Sequence, residues 1–512
     1  MWTINDVMAS AARKYGGRVA IVDGERRVSF SELEAEVGRT AAWMQAQGMR
    51  KGDKVAIQGR NSLAWATAFY AVLRTGAVAV PLNHKLAAAE TTYILEHSES
   101  RFWLVEGSLY QQTVAIATPS NAPTAFALDP KGDKSVLPAL APHTEAGTGT
   151  SIDIGADDLA ELLYTSGTTG RPKGCMHSHA SALLAGIGSS MVFGLGQDDR
   201  VLIAMPIWHS FPLNNLLVSS LYFGACVVFM PEYHPRTFLQ TIQAERCTLF
   251  FGAPIAYLMP LEKIPDFDEF DLSSVRAWLY GAGPIDAVSA RVLMERYKSD
   301  RFYQLFGMTE TGPTGTALLP DEQLAKAGSI GRCAVSGCDL KVMLDGGKIE
   351  AAPGENGEIW MRCQSMMKGY YRNPEATASA FRDGWYCTGD VAHIDEEGYL
   401  FIVDRLKDMV IIGGENVYSK EVEDVLAQHP AISEVAVIGM PDIAWGESLT
   451  AVIVPRAGET VDIDDVKTYC ARYLARYKIP RLIRIIETMP RTPTGKVKKY
   501  MLRDATGTPG AG

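Results

Sequence analysis

From Lys54 the chain repeats one pattern: a short apolar run, a helical stripe, a glycine, and another short apolar run. Val55, Ala56 and Ile57 make the first run. Trp65, Phe69, Val72 and Leu73 then recur at helical spacing, Gly76 closes the stripe, and Ala77 to Pro81 make the second run. This order reads as a β-α-β unit. It returns in the run Val201 to Met205, a helical stretch after Pro212, Gly224 as a stop, and the run Ala225 to Met230. Apolar runs at Cys247 to Phe251 and Ala277 to Tyr280 predict further strands, each ending in a glycine-containing loop, where α/β sheets usually hold ligands. The large N-terminal part is therefore expected to be α/β.

At roughly 150 residues per domain, 512 residues allow two to four domains. One boundary shows as a change of texture. The predicted strand Tyr399 to Val403 runs into the polar segment Asp404 to Asp408, after which a new run of short strands and helices begins. The expected domains are 1–404 and 405–512. From Arg405 to Gly512 there are 15 Lys+Arg against 14 Asp+Glu, so this piece carries +1 and the rest −11. Nine basic residues and one acid, Glu487, lie between Arg476 and Arg503, which is either a solvated face or one that meets something anionic.

The overall charge of −10 argues against nonspecific binding to nucleic acid or anionic membrane. With 47% apolar and 21% charged residues, the composition excludes a disordered chain, a collagen-like repeat and a disulfide mini-scaffold. The eight cysteines are scattered, with no C-x-x-C pair and no histidines at ligand spacing, and read as reduced, mostly buried thiols. The N-terminus lacks a basic stretch followed by an apolar run, and apolar stretches elsewhere break well before about 18 residues. The expected location is cytoplasmic, with no membrane-spanning segment.

The segment Tyr164-Thr-Ser-Gly-Thr-Thr-Gly-Arg-Pro-Lys-Gly174 follows the apolar stretch Leu159 to Leu163. Gly167, Gly170 and Gly174 let the backbone turn its N–H groups toward a polyanion. Thr165, Ser166, Thr168 and Thr169 add hydroxyl donors, and Lys173 adds a point charge. It reads as a phosphate cradle. It is not a Walker A loop, because Arg171 and Pro172 stand where that pattern needs Gly-Lys followed by a hydroxyl residue.

Seven further segments follow in order: Pro206-Ile-Trp-His209, Tyr280-Gly-Ala-Gly-Pro284, Phe306-Gly-Met-Thr-Glu310, Tyr386-Cys-Thr-Gly-Asp390, Asp404-Arg-Leu-Lys407, Gly413-Gly-Glu-Asn416 and Pro493-Thr-Gly-Lys496. With the cradle they make the chain resemble, over nearly its whole length, the adenylate-forming superfamily of acyl-CoA synthetases, nonribosomal-peptide adenylation domains and beetle luciferases. The resemblance implies an acyl-CoA synthetase-like fold, a large multi-subdomain N-terminal α/β domain and a small mobile α+β C-terminal domain. It also implies an ATP-dependent carboxylate–CoA ligase. A carboxylic acid attacks the α-phosphate of ATP to give acyl-AMP and pyrophosphate, and the thiol of coenzyme A then displaces AMP. A carboxylate is a poor acyl donor, so such a site must position two anions and neutralise developing phosphate charge.

By the same resemblance, Asp390 and Arg405 hold the ribose hydroxyls, and Gly281, Ala282 and Gly283 leave room for adenine against backbone. Phe306, where the family more commonly has Tyr, stacks on the base ahead of Gly307. Thr309 meets a phosphate oxygen, while Glu310 binds Mg²⁺ with Thr165 beside it. Lys496 is the catalytic lysine, its ammonium bridging the carboxylate oxygen and the α-phosphate as charge builds. Lys407 marks a hinge about which the C-terminal domain rotates between half-reactions, and Gly413 and Gly414 line the path of the thiol. His209 stands at the mouth of the acyl pocket or is a packed structural histidine. His177 and His179 have H-x-H spacing with no further ligand and read as structural.

The acyl pocket is expected from the stretches His209 to Asn215, Phe251 to Tyr257, Gly281 and Gly307 to Thr316. Phe211, Leu213, Phe251, Tyr257 and Met308 there, beside Asn214 and Asn215, suit an apolar or aromatic monocarboxylate, fatty or ring-bearing. Arg236 is the candidate reader of a second carboxylate, which makes a dicarboxylate the minority option. A stand-alone enzyme loading a carrier protein, a luciferase-like oxidoreductase and a catalytically dead nucleotide-binding regulator are the rival readings. The partners expected are small molecules, with no nucleic acid and no integral membrane, and a homodimer is the candidate assembly.

Overall fold

The computed structural model describes residues 2–114, 123–128, 152–165, 171–333, 335–344, 346–406, 408–412, 415–442, 446–491 and 497–504. The chain divides into two compact units, Met1–Leu340 with Met361–Tyr386, and Lys341–Trp360 with Cys387–Gly512.

The first unit holds two sheets. The β-α-β unit read at Lys54 is present as the strand Lys54–Gln58, the helix Leu63–Arg74 and the strand Val78–Leu82, paired in parallel. These strands sit inside a six-stranded sheet whose order is Thr124–Ala127, Ser100–Val105, Lys54–Gln58, Val78–Leu82, Leu159–Thr165, Lys173–Ser178. The last two form an antiparallel hairpin, and the segment between them is the predicted phosphate cradle.

The second predicted alternation builds an eight-stranded sheet. Arg200–Ile203 pairs in parallel with Cys226–Phe229 and Leu249–Gly252, and Ala277–Tyr280 with Phe302–Gly307 follow. Gly224 stops the helix Ser219–Phe223 at φ +76°, and a Cβ there would lie 2.5 Å from the Tyr15 ring, so no side chain fits this turn.

Helix Leu63–Arg74 explains how the sheets cohere. Ten of its twelve residues, Leu63 and Trp65 to Leu73, are buried, so it has no solvent stripe and must be covered all round. Its Trp65 and Phe69 rings stack at 5.7 Å. They belong to one apolar core with Val55 and Ile57 of one sheet and Val201, Ile203 and Leu249 of the other. Three N-terminal caps set the helix entries by the same device: Thr3 with Asp6, Ser29 with Glu32, and Ser178 with Ser181.

The second unit is α+β. The long strands Ile432–Asp442 and Gly446–Pro455 form an antiparallel ribbon flanked by Val410–Ile412 with Glu415–Val417, while Leu482–Ile485 runs parallel to Gly446–Pro455. Helices Ser419–Leu426 and Ile463–Tyr473 pack Val422, Leu426, Val466 and Cys470 into its core. Among the described residues, no helix is long and apolar enough to cross a membrane.

One buried acid interrupts the first core. Glu161, on the strand that leads into the cradle, is fully buried and accepts from Asn214 Nδ2 at 2.6 Å, while its other oxygen has no partner. Burial raises its carboxyl from the ordinary 4.5 to about 7. Between those values the folded protein keeps a proton that the unfolded chain releases, so this group's stabilising contribution is lost as pH rises through about 7. Glu161→Gln is therefore expected to raise Tm at pH 8 and change it little at pH 5, with a gap of up to roughly 3 kcal/mol. Thermal unfolding at the two pH values checks this, and an equal shift at both would count against a buried titrating carboxyl.

Candidate active site

Strand ends and a hairpin place the site groups of the first unit. Thr165 and Lys173 face each other across the antiparallel hairpin, at the two flanks of the cradle. Lys173 holds its ammonium 4.9 Å from the centre of the Tyr370 ring. The Tyr370 hydroxyl donates to Glu310 Oε1 at 2.9 Å and lies 3.5 Å from the Tyr386 hydroxyl. Phe306 and Gly307 end the strand Phe302–Gly307, and Thr309 to Thr311 form a single 3-10 turn behind it.

That turn is anchored on every side. Thr309 Oγ1 meets Ser210 Oγ at 3.1 Å, one residue beyond His209. The Thr309 carbonyl accepts from His177 Nε2 at 2.8 Å, and the Glu310 carbonyl accepts from the Met367 amide at 2.9 Å. His177 is fully buried, which pushes its pKa down to about 4 and keeps the ring neutral, with one nitrogen free to donate. It is structural, as the sequence suggests, and what it supports is the Thr309–Glu310 turn. His179 is also buried, with its Nδ1 3.4 Å from the Ile4 amide.

The small residues expected beside adenine are set partly by close backbone packing. Gly281 follows the strand Ala277–Tyr280, and a Cβ on it would lie 2.7 Å from the Leu305 carbonyl. At Gly307 a Cβ would come within 2.5 Å of Pro313 backbone. Around Gly283 there is open space, and Ala282 between the two glycines holds the left-handed φ of +67°. A strained non-glycine residue at a strand end is the kind of outlier that recurs at ligand sites.

Around His209, Trp208 stacks on the imidazole with ring centres 4.1 Å apart, and Phe211 stacks on Phe251 at the same distance. The stretch after Pro212 is a π-helix, Phe211–Val218, a form common at functional positions. Other pocket expectations shift. Asn214 is turned to Glu161, and Asn215 donates to Ser189 Oγ at 2.6 Å and the Ala185 carbonyl at 3.2 Å, so both amides serve the interior. Leu213 and Tyr257 are fully buried in the packed cores. Arg236 forms a two-pronged pair with Asp266 at 2.5 and 2.9 Å, which occupies the fork that a second substrate carboxylate would need.

In the second unit Asp390 and Arg405 are cross-strand partners, with Arg405 Nε 2.7 Å from Asp390 Oδ1. The carboxylate is buried and the guanidinium partly exposed. Asp404 accepts from the Lys420 amide at 3.1 Å, tying this hairpin to the start of helix Ser419–Leu426. Ser166, Gly167, Thr168, Thr169, Gly170, Lys407, Gly413, Gly414 and Lys496 lie outside the described residues.

Tyr370, Ser210 and the loop-anchoring role of His177 are the residues that sequence reasoning misses. Tyr370 is in no motif, and the only signal near it is the aromatic pair Tyr370-Tyr371 after Gly369. Among the described residues no cluster of three or more His, Cys, Asp or Glu could hold a metal alone. The single carboxylate of Glu310 suits Mg²⁺ only if phosphate and water oxygens complete its shell, which is that ion's usual habit.

Comparison with known proteins gives the same reading. The profile of the AMP-binding enzyme family matches residues 8–371, and that of the AMP-binding enzyme C-terminal domain matches residues 421–496. Long-chain-fatty-acid–CoA ligase FadD13 of Mycobacterium tuberculosis is 37% identical over 478 residues, 93% of either chain. Feruloyl-CoA synthase of an Amycolatopsis species is 36% identical over 497 residues, 97% of either chain. The o-succinylbenzoate CoA synthetase of Bacillus subtilis, solved with its acyl-adenylate intermediate, superposes with a TM-score of 0.85 at 30% identity over 98% of each chain. A further structure of that enzyme holds ATP and a magnesium ion. The chain belongs to the AMP-binding enzyme family, in the adenylate-forming superfamily, and is an ATP-dependent, AMP-forming carboxylate–CoA ligase.

Proposed function

We propose that the protein activates an apolar or aromatic monocarboxylic acid, with Thr165, Lys173, Thr309 and Glu310 receiving the magnesium-bound triphosphate and Lys496 stabilising the transition state. The observation that carries this reading is the string Lys173, Tyr370, Glu310: it joins the base of the cradle to the carboxylate expected at the metal. Thr165 lies opposite Lys173 in the same hairpin, and Ser210 ties Thr309 to the His209 turn. A phosphate group and an acyl carboxylate repel each other, so the first step needs cationic and hydrogen-bonding groups fixed where charge develops.

Gly281 and Gly283 with Phe306 would take the adenine. By its motif, Asp390 would accept from the ribose hydroxyls, and Arg405 pairs with that carboxylate and holds its direction. Lys496, the Ser166 to Gly170 cradle and the Gly413-Gly414 path for coenzyme A rest on their motifs, as does a hinge at Lys407 between domains 1–404 and 405–512. The Phe211–Phe251 stack and the inward Asn214 and Asn215 favour an apolar or aromatic acid. The names of two relatives, a long-chain fatty acid ligase and a feruloyl-CoA synthase, agree with that choice. A cytoplasmic location is supported by eight cysteines that are all free thiols.

A panel of carboxylates assayed for pyrophosphate with and without coenzyme A is expected to favour apolar or aromatic monocarboxylates, with thioester formed only when coenzyme A is present. Light emission with luciferin, or turnover only with a carrier protein, would replace this reading. Lys496→Ala is expected to abolish adenylate formation and still convert a supplied acyl-adenylate to thioester; equal loss of both half-reactions would remove its special role. Tyr370→Phe, which deletes only the hydroxyl on Glu310, is expected to slow adenylation about tenfold, chiefly through the KM for magnesium-ATP. An unchanged KM would detach Tyr370 from the metal site.

A further inference from the structure

Behind the Thr309–Glu310 turn, two cysteines that the reaction does not use meet at Thr314, and a third, Cys333, donates to the Cys338 carbonyl. Strands Cys338–Leu344 and Gly357–Cys363 are neighbours in a sheet. Their register follows from three contacts: the Gln364 amide donates to the Gly337 carbonyl at 2.9 Å, Arg362 pairs with Asp339 at 2.9 Å, and Lys341 covers the Trp360 ring. The same offset sets Cys338 directly opposite Cys363. Because the flanking pair Gly337 and Gln364 is hydrogen-bonded, Cys338 and Cys363 form the non-hydrogen-bonded pair beside it, the closer of the two kinds, with Cα atoms about 4.5 Å apart. That separation is at the short end of the range a disulfide spans, so the bond can form there and would be strained and readily reduced.

Both sulfurs now hold Thr314. Cys338 Sγ lies 3.1 Å from Thr314 Oγ1, and Cys363 Sγ lies 3.8 Å from the Thr314 carbonyl. Thr314 Oγ1 donates to the Thr311 carbonyl at 3.0 Å and meets Ser365 Oγ at 2.7 Å, and Thr311 Oγ1 returns a bond to the Thr314 carbonyl at 2.8 Å. Thr311 is the last residue of the turn that carries Thr309 and Glu310. Cys338 is half-buried, Cys363 is buried and Cys333 is exposed. A hydrogen bond from the Cys363 thiol favours the Cys338 thiolate and lowers its pKa, so Cys338 is the nucleophile of the pair.

We propose that Cys338 and Cys363 are a modification site for hydroperoxides, closing to a reversible cross-strand disulfide that withdraws both sulfurs from Thr314 and loosens the Thr309–Glu310 turn. The Cys338 thiolate attacks one oxygen of hydrogen peroxide, breaking the O–O bond and giving a sulfenic acid and a hydroxide. That hydroxide takes up the proton the thiol had shed and leaves as water; an organic hydroperoxide releases the corresponding alcohol instead. The Cys363 sulfur then attacks the sulfenic sulfur, its proton leaves with the displaced hydroxide as a second water, and two thiols have been oxidised as one peroxide is reduced. The bond stands on the strand register alone, and its effect on activity rests on the proposed role of Glu310.

Peptide mapping of the intact protein after hydrogen peroxide, with free thiols blocked, is expected to yield a Cys338–Cys363 linked peptide that dithiothreitol abolishes. The Cys333→Ser protein is expected to form it equally. A Cys333–Cys338 link instead, or Cys338 and Cys363 both still open to alkylation, overturns the proposal whether or not the carboxylate activity holds. Alongside the bond, adenylation is expected to fall by about fivefold or more and to return with dithiothreitol. A linked protein with undiminished adenylation overturns the loosening of the turn.

Discussion

The hydroxyl of Tyr370 on the carboxylate of Glu310 adds a side-chain link between two parts of the first unit that backbone bonds at Met367 and Tyr371 already bring together. On one side is the hairpin of the six-stranded sheet, whose Lys173 rests against the Tyr370 ring; on the other is the end of a strand in the eight-stranded sheet. A flexible ammonium and a flexible carboxylate would otherwise be free to pair with each other or with water. The phenol ring between them keeps the cation on a π face and the anion on a hydroxyl, so both charges remain available to a third party. The helix Leu63–Arg74, covered on all sides, supplies the rigid distance between the sheets across which this contact must work.

The architecture is written locally in the chain. Strand, stripe and glycine from Lys54 to Pro81 gave the correct unit because strand burial, helical period and a left-handed glycine are each decided within a few residues. The same holds at Val201 to Met230, although the helical stretch after Pro212 begins as a π-helix, which no period in the sequence distinguishes from an ordinary one. The segments holding Thr165, Lys173, Gly281, Phe306, Thr309 and Glu310 stand out in the sequence because glycines, hydroxyls and charges at fixed spacing suit phosphate chemistry, the role proposed for them.

Partnerships between distant segments were not legible. Tyr370 follows Glu310 by 60 positions, and Glu161 meets Asn214 across 53, so neither contact leaves a local trace. Asn214 and Asn215 looked like pocket polarity because a buried amide and a lining amide have the same letter; only the partner tells them apart. Arg236 looked available for the same reason, until Asp266 was seen to fill its fork. Cys338 and Cys363 are 25 residues apart with nothing between them that counts as a motif, and their facing positions emerge only from the strand offset.

Ala282 has a longer consequence. It stands in a backbone state that costs an L-residue about 1 kcal/mol and a glycine almost nothing, and it stands there beside two glycines that could have shared the bend. Substitution at this position is therefore lopsided. Glycine is accommodated and asparagine tolerated, whereas a branched or bulky replacement meets the torsional penalty before it meets any ligand. Divergence among relatives should consequently run through a very narrow alphabet at this one alanine, for reasons of torsion rather than recognition.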